Sequence, residues 1–121
     1  MKAFPTIPAE SILYETENFF LIYDRYPVSK GHILIISKDL KTDFFELDIK
    51  EQMELPELIE KAKSIIEKDN QPDGYNIGMN CGESAGQTVM QFHCHVIPRY
   101  KGDMNDPRGG VRHCIAGKGY Y

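Results

Sequence analysis

The stretch from Asn80 to Arg99 reads NCGESAGQTVMQFHCHVIPR, and it decides how the rest of the chain is interpreted. Its second half, from Thr88 to Pro98, is rich in branched and aromatic residues and is predicted to form a strand. Side chains of a strand alternate between two faces. The alternation separates an apolar set facing the core (Phe92, Cys94 and Val96) from a polar set lining a cleft (Gln91, His93 and His95).

The first half of this stretch is a predicted loop from Asn80 to Gly86. Small residues in such a loop let successive backbone N–H groups turn towards a ligand and form a concavity that binds anions. The alternative is that Gly82 and Gly86 only shape a hairpin turn. In the first interpretation the phosphate-binding group consists of Asn80, Gly86, Gln87 and Thr88.

The two histidines predict the chemistry. Residues two apart on a strand lie about 7 Å apart at the backbone, so His93 and His95 can act on one phosphate group. An imidazole nitrogen is a good nucleophile, and it can split one difficult displacement into two easier ones. The pattern favours nucleotidyl transfer through a covalent intermediate on His93. Two alternatives remain: ordinary strand histidines, or a metal site completed by His32, His113 or a cysteine.

Upstream residues predict a hairpin and one further strand. Two short apolar runs, Ile12–Tyr14 and Phe19–Tyr23, are separated by four polar residues and are typical of a hairpin. A loop from Asp24 to Gly31 follows, and the continuous run Ile33–Ile36 indicates a strand buried on both faces.

The middle of the chain changes to helical spacing. Asp48 followed by Glu51 three residues later is typical of a helix start, and Pro56 either kinks one long helix or begins a second one. A strand is predicted over Tyr75–Met79. Together these elements predict an α+β fold with an antiparallel β-sheet, one main helix and a short helix.

Size and charge limit the function. A chain of 121 residues predicts a single domain, with a core over about residues 10–100 and an irregular C-terminal tail at 101–121. A net charge of −4 argues against binding to duplex nucleic acid, which requires a broad basic surface. There is no signal peptide pattern and no apolar run long enough to span a membrane. Three unpaired cysteines indicate a reducing compartment, so we expect a cytoplasmic protein.

Two motifs resemble those of a known family. The run QFHCHVIPR at 91–99, preceded by AGQTV at 85–89, resembles the signature of the histidine triad (HIT) superfamily. The dipeptide Gly31-His32 before the apolar run at 33–36 resembles that family's upstream element. The resemblance implies a HIT-like fold and hydrolysis at the α-phosphate of a nucleotide. The tail and the IPR sequence look closest to Fhit-like and bacterial diadenosine tetraphosphate hydrolases.

The resemblance also implies roles for individual residues. His93 matches the nucleophile, His95 the histidine that contacts the reacting phosphate, and His32 a supporting histidine. Asp24 matches the group that holds the ribose, and it is otherwise an ordinary loop residue. Asn80 and Thr88 match positions that bind phosphate oxygens. Arg108 and Arg112 are expected at distal phosphates or, alternatively, in solvent.

The chain departs from the family at the first triad position, which is Gln91. The backbone carbonyl of Gln91 can still orient His93, but a zinc site that uses the first histidine is lost. We therefore expect no metal and no required cofactor, apart from a divalent cation carried by the polyphosphate substrate. The resemblance implies a homodimer. Two rival functions remain, a nucleoside phosphoramidase and a nucleotide-binding regulator without turnover.

Overall fold

A computed structural model describes residues 3–121. One five-stranded antiparallel sheet and one long helix form the body, which confirms the predicted α+β fold. The strands run in the order β1-β2-β3-β5-β4 across the sheet. Their bounds are β1 Tyr14–Glu15, β2 Phe19–Tyr23, β3 Ile33–Ser37, β4 Gly74–Gly78 and β5 His93–Arg99, with helix α1 at Ile49–Asp69.

The predicted hairpin is present, with its first strand displaced. β1 covers Tyr14–Glu15, and Tyr14 faces Leu21 of β2. The preceding residue Leu13 donates its backbone N–H to the carbonyl of Leu21, so it prolongs the pairing without being part of the strand. β3 is buried along its whole length, as its continuous apolar sequence predicts.

Helix α1 is continuous through Pro56. Asp48 accepts a hydrogen bond from the Glu51 N–H, and the Glu51 carboxylate accepts one from the Asp48 N–H, so the predicted helix start is a complete capping box. Four regularly spaced apolar residues of the helix are buried against one face of the sheet, namely Leu55, Leu58, Ala62 and Ile66.

The two faces of the sheet are covered differently. The face under α1 carries the main apolar core, including Phe19, Leu21 and Ile35. The opposite face carries a smaller apolar cluster. His93 and His95 lie beside that cluster, because His93 pairs with Ile36 and His95 pairs with Leu34 across β3 and β5. The smaller cluster consists of Ile22, Leu34 and Ile36, with Phe4 and Ile7 packed on it.

The last strand is shorter than the sequence predicts. The prediction of a strand over Thr88–Pro98 is wrong for its first five residues, because β5 begins only at His93. Residues 88–92 instead lie beside the loop that comes after β3. The Phe92 N–H donates to the carbonyl of Lys41 in that loop. The burial of β5 alternates as predicted, with Cys94 and Val96 in the core and His93 and His95 on the other face.

The C-terminal segment folds onto itself. It contains a 3-10 helix at Gly110–Cys114, in the short apolar part of a tail that is predicted to be irregular. The ring of Tyr120 packs on His113, and its hydroxyl donates to the carbonyl of Asp106. None of the helices between residues 3 and 121 has the length and apolar character needed to cross a lipid bilayer.

Candidate active site

His93, the first residue of β5, is held with one ring nitrogen free. Its Nδ1 lies 2.9 Å from the backbone carbonyl oxygen of Gln91. A carbonyl oxygen can only accept, so Nδ1 carries a proton, and in the neutral ring Nε2 then has the lone pair. The side chain is partly exposed. The Gln91 carbonyl thus orients the His93 ring, as the sequence predicts, and leaves Nε2 directed away from this contact.

His95 is held in the opposite tautomer. The Val28 N–H donates to Nδ1 of His32 at 3.2 Å, which leaves Nε2 of His32 as the protonated nitrogen. That nitrogen lies 2.9 Å from Nδ1 of His95 and donates to it. The proton of His95 must then be on Nε2. His95 thus presents an N–H donor, next to a neighbour that presents a lone pair.

Burial keeps His32 and His95 neutral. Desolvation lowers the pKa of His95 to about 4, with further lowering by His93 and His32. Desolvation also lowers the pKa of His32, against an opposing contribution from the Asp24 carboxylate. At neutral pH both imidazoles are uncharged, as the hydrogen-bond chain from Val28 to His95 requires.

Asp24 lies just past the end of β2, beside this chain of hydrogen bonds. One carboxylate oxygen accepts from the Tyr26 N–H, and the other is 3.5 Å from Nε2 of His32. Asp24, His32 and His95 offer ligand atoms within 4.8 Å of one another, close enough for a metal ion. A metal on Nε2 of His32 would force the proton onto Nδ1, against the Val28 N–H. The donor set therefore suits a hydrogen-bond relay better than a metal.

Gln91 is buried at the end of the segment that precedes β5. Its carboxamide donates to the carbonyl of Ser37 at 2.7 Å and accepts from the Phe4 N–H at 3.1 Å. The Phe4 ring meets His93 edge to face, with 5.0 Å between ring centroids. Sequence reasoning missed Phe4, Ser37 and Val28 as site residues. Nothing in the local sequence signals them, since each meets the site only through the fold.

The loop before residues 88–92 differs from a ring of free amide donors. Gly82 and Gly86 both have positive φ angles and flank a 3-10 turn at Glu83–Ala85. Within this loop the Gly86 N–H donates to the carbonyl of Glu83, and the Gln87 N–H donates to that of Gly82. Both glycines thus shape the turn, and the amides of Gly86 and Gln87 already have partners.

The Gln87 side chain is also committed to the scaffold. It is 3% exposed and accepts from the Gly82 N–H. Its amide nitrogen donates to the carbonyls of Thr42 and Val89. The two other predicted phosphate ligands are both exposed: Asn80 lies at the start of this loop, and Thr88 follows it, five residues before β5 begins.

The two tail arginines have contacts within the tail. Arg108 forms an ion pair with Asp106, at 2.9 Å between Nη2 and Oδ2. Arg112 lies over the ring of Tyr121, 4.7 Å from its centroid. The structure brings His93, His95, His32, Asp24 and Gln91 together, whereas the contacts of both arginines lie in the C-terminal segment.

Comparison with known proteins gives a family match. A family model described as "HIT domain" matches residues 6–102. The chain is 32% identical over 87 residues to an "AP-4-A phosphorylase" of Mycobacterium tuberculosis, covering 71% of this chain and 45% of that protein. It is 31% identical over 100 residues to a "Bis(5'-adenosyl)-triphosphatase" of Dictyostelium discoideum, covering 83% and 67%.

A solved structure gives the same result. The crystal structure of a HIT family protein from Bacillus anthracis superimposes with a TM-score of 0.72 at 39% identity, covering 77% of this chain and 66% of that one. The curated relatives differ widely in length, and the chain spans 23% of one and 74% of another. The residues matched by the family model include both site histidines.

Proposed function

Because this chain belongs to the HIT domain family, we propose that it is a nucleotide hydrolase that cleaves dinucleoside polyphosphates at the α-phosphate. The observation that carries the proposal is the pair of opposite tautomers at His93 and His95. One ring offers a lone pair and the next offers a donor, with 5.3 Å between their centroids. Relatives named for acting on adenosine polyphosphates support this substrate class.

The first step forms a covalent nucleotidyl-enzyme. Nε2 of His93 attacks the α-phosphorus, the N–P bond forms, and the bond from phosphorus to the leaving polyphosphate oxygen breaks. The leaving group departs with the electron pair. The carbonyl of Gln91 holds the Nδ1 proton and stabilises the positive charge that develops on the imidazole. The Nε2–H of His95 donates to an α-phosphate oxygen, where charge accumulates in the transition state.

The second step releases the nucleotide. Water attacks the α-phosphorus, the P–N bond breaks, and its electron pair returns to Nε2 of His93. The proton of the water passes to solvent, and a nucleoside monophosphate is released. Two displacements on one face give net retention of configuration at phosphorus.

Binding is assigned to the residues around the two histidines. Asp24 accepts hydrogen bonds from the ribose hydroxyls, and the side chains of Asn80 and Thr88 donate to phosphate oxygens. Arg108 and Arg112 meet the distal phosphates. In this proposal no resident metal takes part, and a divalent cation arrives with the polyphosphate. The protein acts as a homodimer in the cytoplasm.

Product analysis by chromatography tests the proposal. Wild type and His93→Ala are each incubated with diadenosine tetraphosphate and with adenosine phosphoramidate. We expect AMP from the wild type and a loss of about 10³-fold or more in the variant, because no other group forms the intermediate. His113→Ala is the matched control, since His113 lies outside the site; because its ring contacts the Arg108 carbonyl and Tyr120, any loss should be confined to KM for diadenosine tetraphosphate.

The possible products separate the rival functions. Preference for adenosine phosphoramidate would indicate a phosphoramidase. ADP formed only when phosphate is added would indicate that phosphate replaces water as the acceptor. Binding of AMP without turnover of either compound would contradict the hydrolase proposal and indicate a nucleotide-binding regulator.

A further inference from the structure

The sheet face that bears the nucleophile is partly covered by the start of the chain. We call residues 3–7 the N-terminal arm. Two apolar side chains of this arm, Phe4 and Ile7, pack on the smaller apolar cluster. Of these two, Phe4 also meets the ring of His93. The arm therefore reaches the site from the opposite end of the sequence.

The arm is fastened through the side chain of Gln91. This carboxamide bridges the Phe4 N–H, 87 residues away, and the carbonyl of Ser37, 54 residues away. Both bonds are at least partly buried, and Gln91 itself is 6% exposed. One side chain thus connects the arm, the end of β3 and the segment before β5.

The same residue holds the nucleophile through its backbone. The carbonyl of Gln91 accepts a hydrogen bond from the Nδ1–H of His93. Fixing the side chain of Gln91 at two points fixes the position of this carbonyl. The edge-to-face contact with Phe4 restricts rotation of the His93 ring from the other side.

We propose that Gln91 is a positioning residue, whose carboxamide locks the N-terminal arm against His93 and so fixes the tautomer and orientation of the nucleophile. This inference rests on the proposed function of His93. The physical reason is that an attacking atom displaced by about 1 Å can cost about 100-fold in rate. The hydrogen-bond partners of metal-bound histidines fix the tautomer and orientation of the ring in the same way.

Kinetics separate positioning from packing. Gln91→Met keeps the side-chain volume and removes both hydrogen bonds, and Phe4→Ala removes the ring contact. We expect each variant to lower kcat about 10-fold with KM within two-fold of wild type, because the substrate-binding groups are untouched. Phe4→Tyr keeps an aromatic ring and should restore kcat. Ile7→Ala is the matched control, since Ile7 belongs to the same arm and packs on the same cluster.

The double variant provides a second test. If Gln91 acts through the arm, Gln91→Met with Phe4→Ala loses no more than the worse single variant. Fully additive losses, a rise confined to KM, or an equal loss in Ile7→Ala would overturn the proposal. Should Gln91→Met fail to fold, Phe4→Ala and Phe4→Tyr carry the kinetic test alone.

Two measurements without substrate distinguish a failure of this inference from a failure of the proposed function. The first is hydrogen exchange of the Phe4 amide, which we expect to be protected in wild type and to exchange faster in Gln91→Met. The second is the ¹⁵N chemical shifts of the His93 ring, which we expect to report Nδ1–H in wild type and a mixture of tautomers in both variants. If wild type turns over no nucleotide, the hydrolase proposal fails. The amide exchange and the ¹⁵N shifts still test the positioning role of Gln91. A freely exchanging Phe4 amide or an unchanged tautomer overturns the positioning role, even where hydrolysis is confirmed.

Discussion

At the scale of the residue, the same chemical group serves two roles because its environment differs. His93 and His95 stand two residues apart on β5, and both are imidazoles. A backbone carbonyl fixes the proton of His93 on Nδ1, and the chain from Val28 through His32 fixes that of His95 on Nε2. Tautomer choice, rather than residue type, distinguishes the proposed nucleophile from the proposed donor.

The lowered pKa of His95 predicts a loss of stability in acid. The unfolded chain takes up a proton near 6.5, whereas the folded protein takes it up only near 4. The unfolded state therefore binds more protons between these values, and stability falls as the pH drops through this window. The stabilisation lost amounts to about 1–2 kcal/mol after allowance for the partial exposure of His95.

Urea unfolding at pH 7 and pH 4.5 measures this effect. We expect His95→Asn to flatten the pH dependence of the free energy of unfolding. His113→Asn, an exposed histidine on the C-terminal segment, should leave it as in wild type. A steep dependence that persists in His95→Asn would assign the effect to other groups, of which His32 is the first to examine.

At the scale of the element, helix α1 continues through a residue that helices disfavour. Pro56 has no N–H to donate to the carbonyl four residues earlier, and its ring crowds that carbonyl. The helix persists because Leu55 and Leu58, on either side, are buried in the core. Tertiary packing therefore offsets the low helix propensity of proline. Because that packing is not visible in the local sequence, the sequence predicts either one kinked helix or two helices.

Replacement of the proline tests that balance. We expect Pro56→Ala to raise the free energy of unfolding by about 1–3 kcal/mol, because one helical hydrogen bond is restored. Thermal or urea unfolding measures the difference, with the exposed neighbour Glu57→Ala as the control. A lower stability would show that Pro56 itself is required to seat Leu55 and Leu58.

At the scale of the whole molecule, the fold of the C-terminal segment depends on the close approach of two glycines, Gly109 and Gly119. Gly109 has a φ of +93°, and a side chain there would overlap the carbonyl oxygen of Gly119. Gly119 is buried, although most of the segment is exposed. The closed segment carries Arg108 and Arg112, so its conformation decides what the two arginines can reach.

Opening the segment tests the assignment of the distal phosphates. We expect Gly109→Ala to raise KM for diadenosine tetraphosphate about five-fold, equivalent to about 1 kcal/mol. KM for adenosine phosphoramidate, which has no distal phosphates, should be unchanged. Gly102→Ala is the matched control, because Gly102 also has a positive φ but no atom near the added carbon. If Gly109→Ala changed KM equally for both substrates, the two arginines would not contact the polyphosphate.

The sequence by itself determined most of the elements and which face of the last strand carries the two histidines. Alternation along β5 separated Cys94 and Val96 from His93 and His95, because the pleat of a strand gives every second side chain the same face. The capping box at Asp48 and Glu51 is equally local, since both hydrogen bonds join residues three apart. The buried strand β3 followed from its unbroken apolar run.

The tertiary structure alone decided how these residues are held. Residues 88–92 have strand-like composition but do not form a strand. Backbone groups at and just after the end of β3 accept hydrogen bonds from the side chains of Gln87 and Gln91 and from the Phe92 N–H. The tautomer of His95 depends on Val28, and the setting of His93 depends on Phe4, partners 67 and 89 residues away along the chain. No local pattern encodes such contacts, because they exist only once the sheet has brought distant segments together.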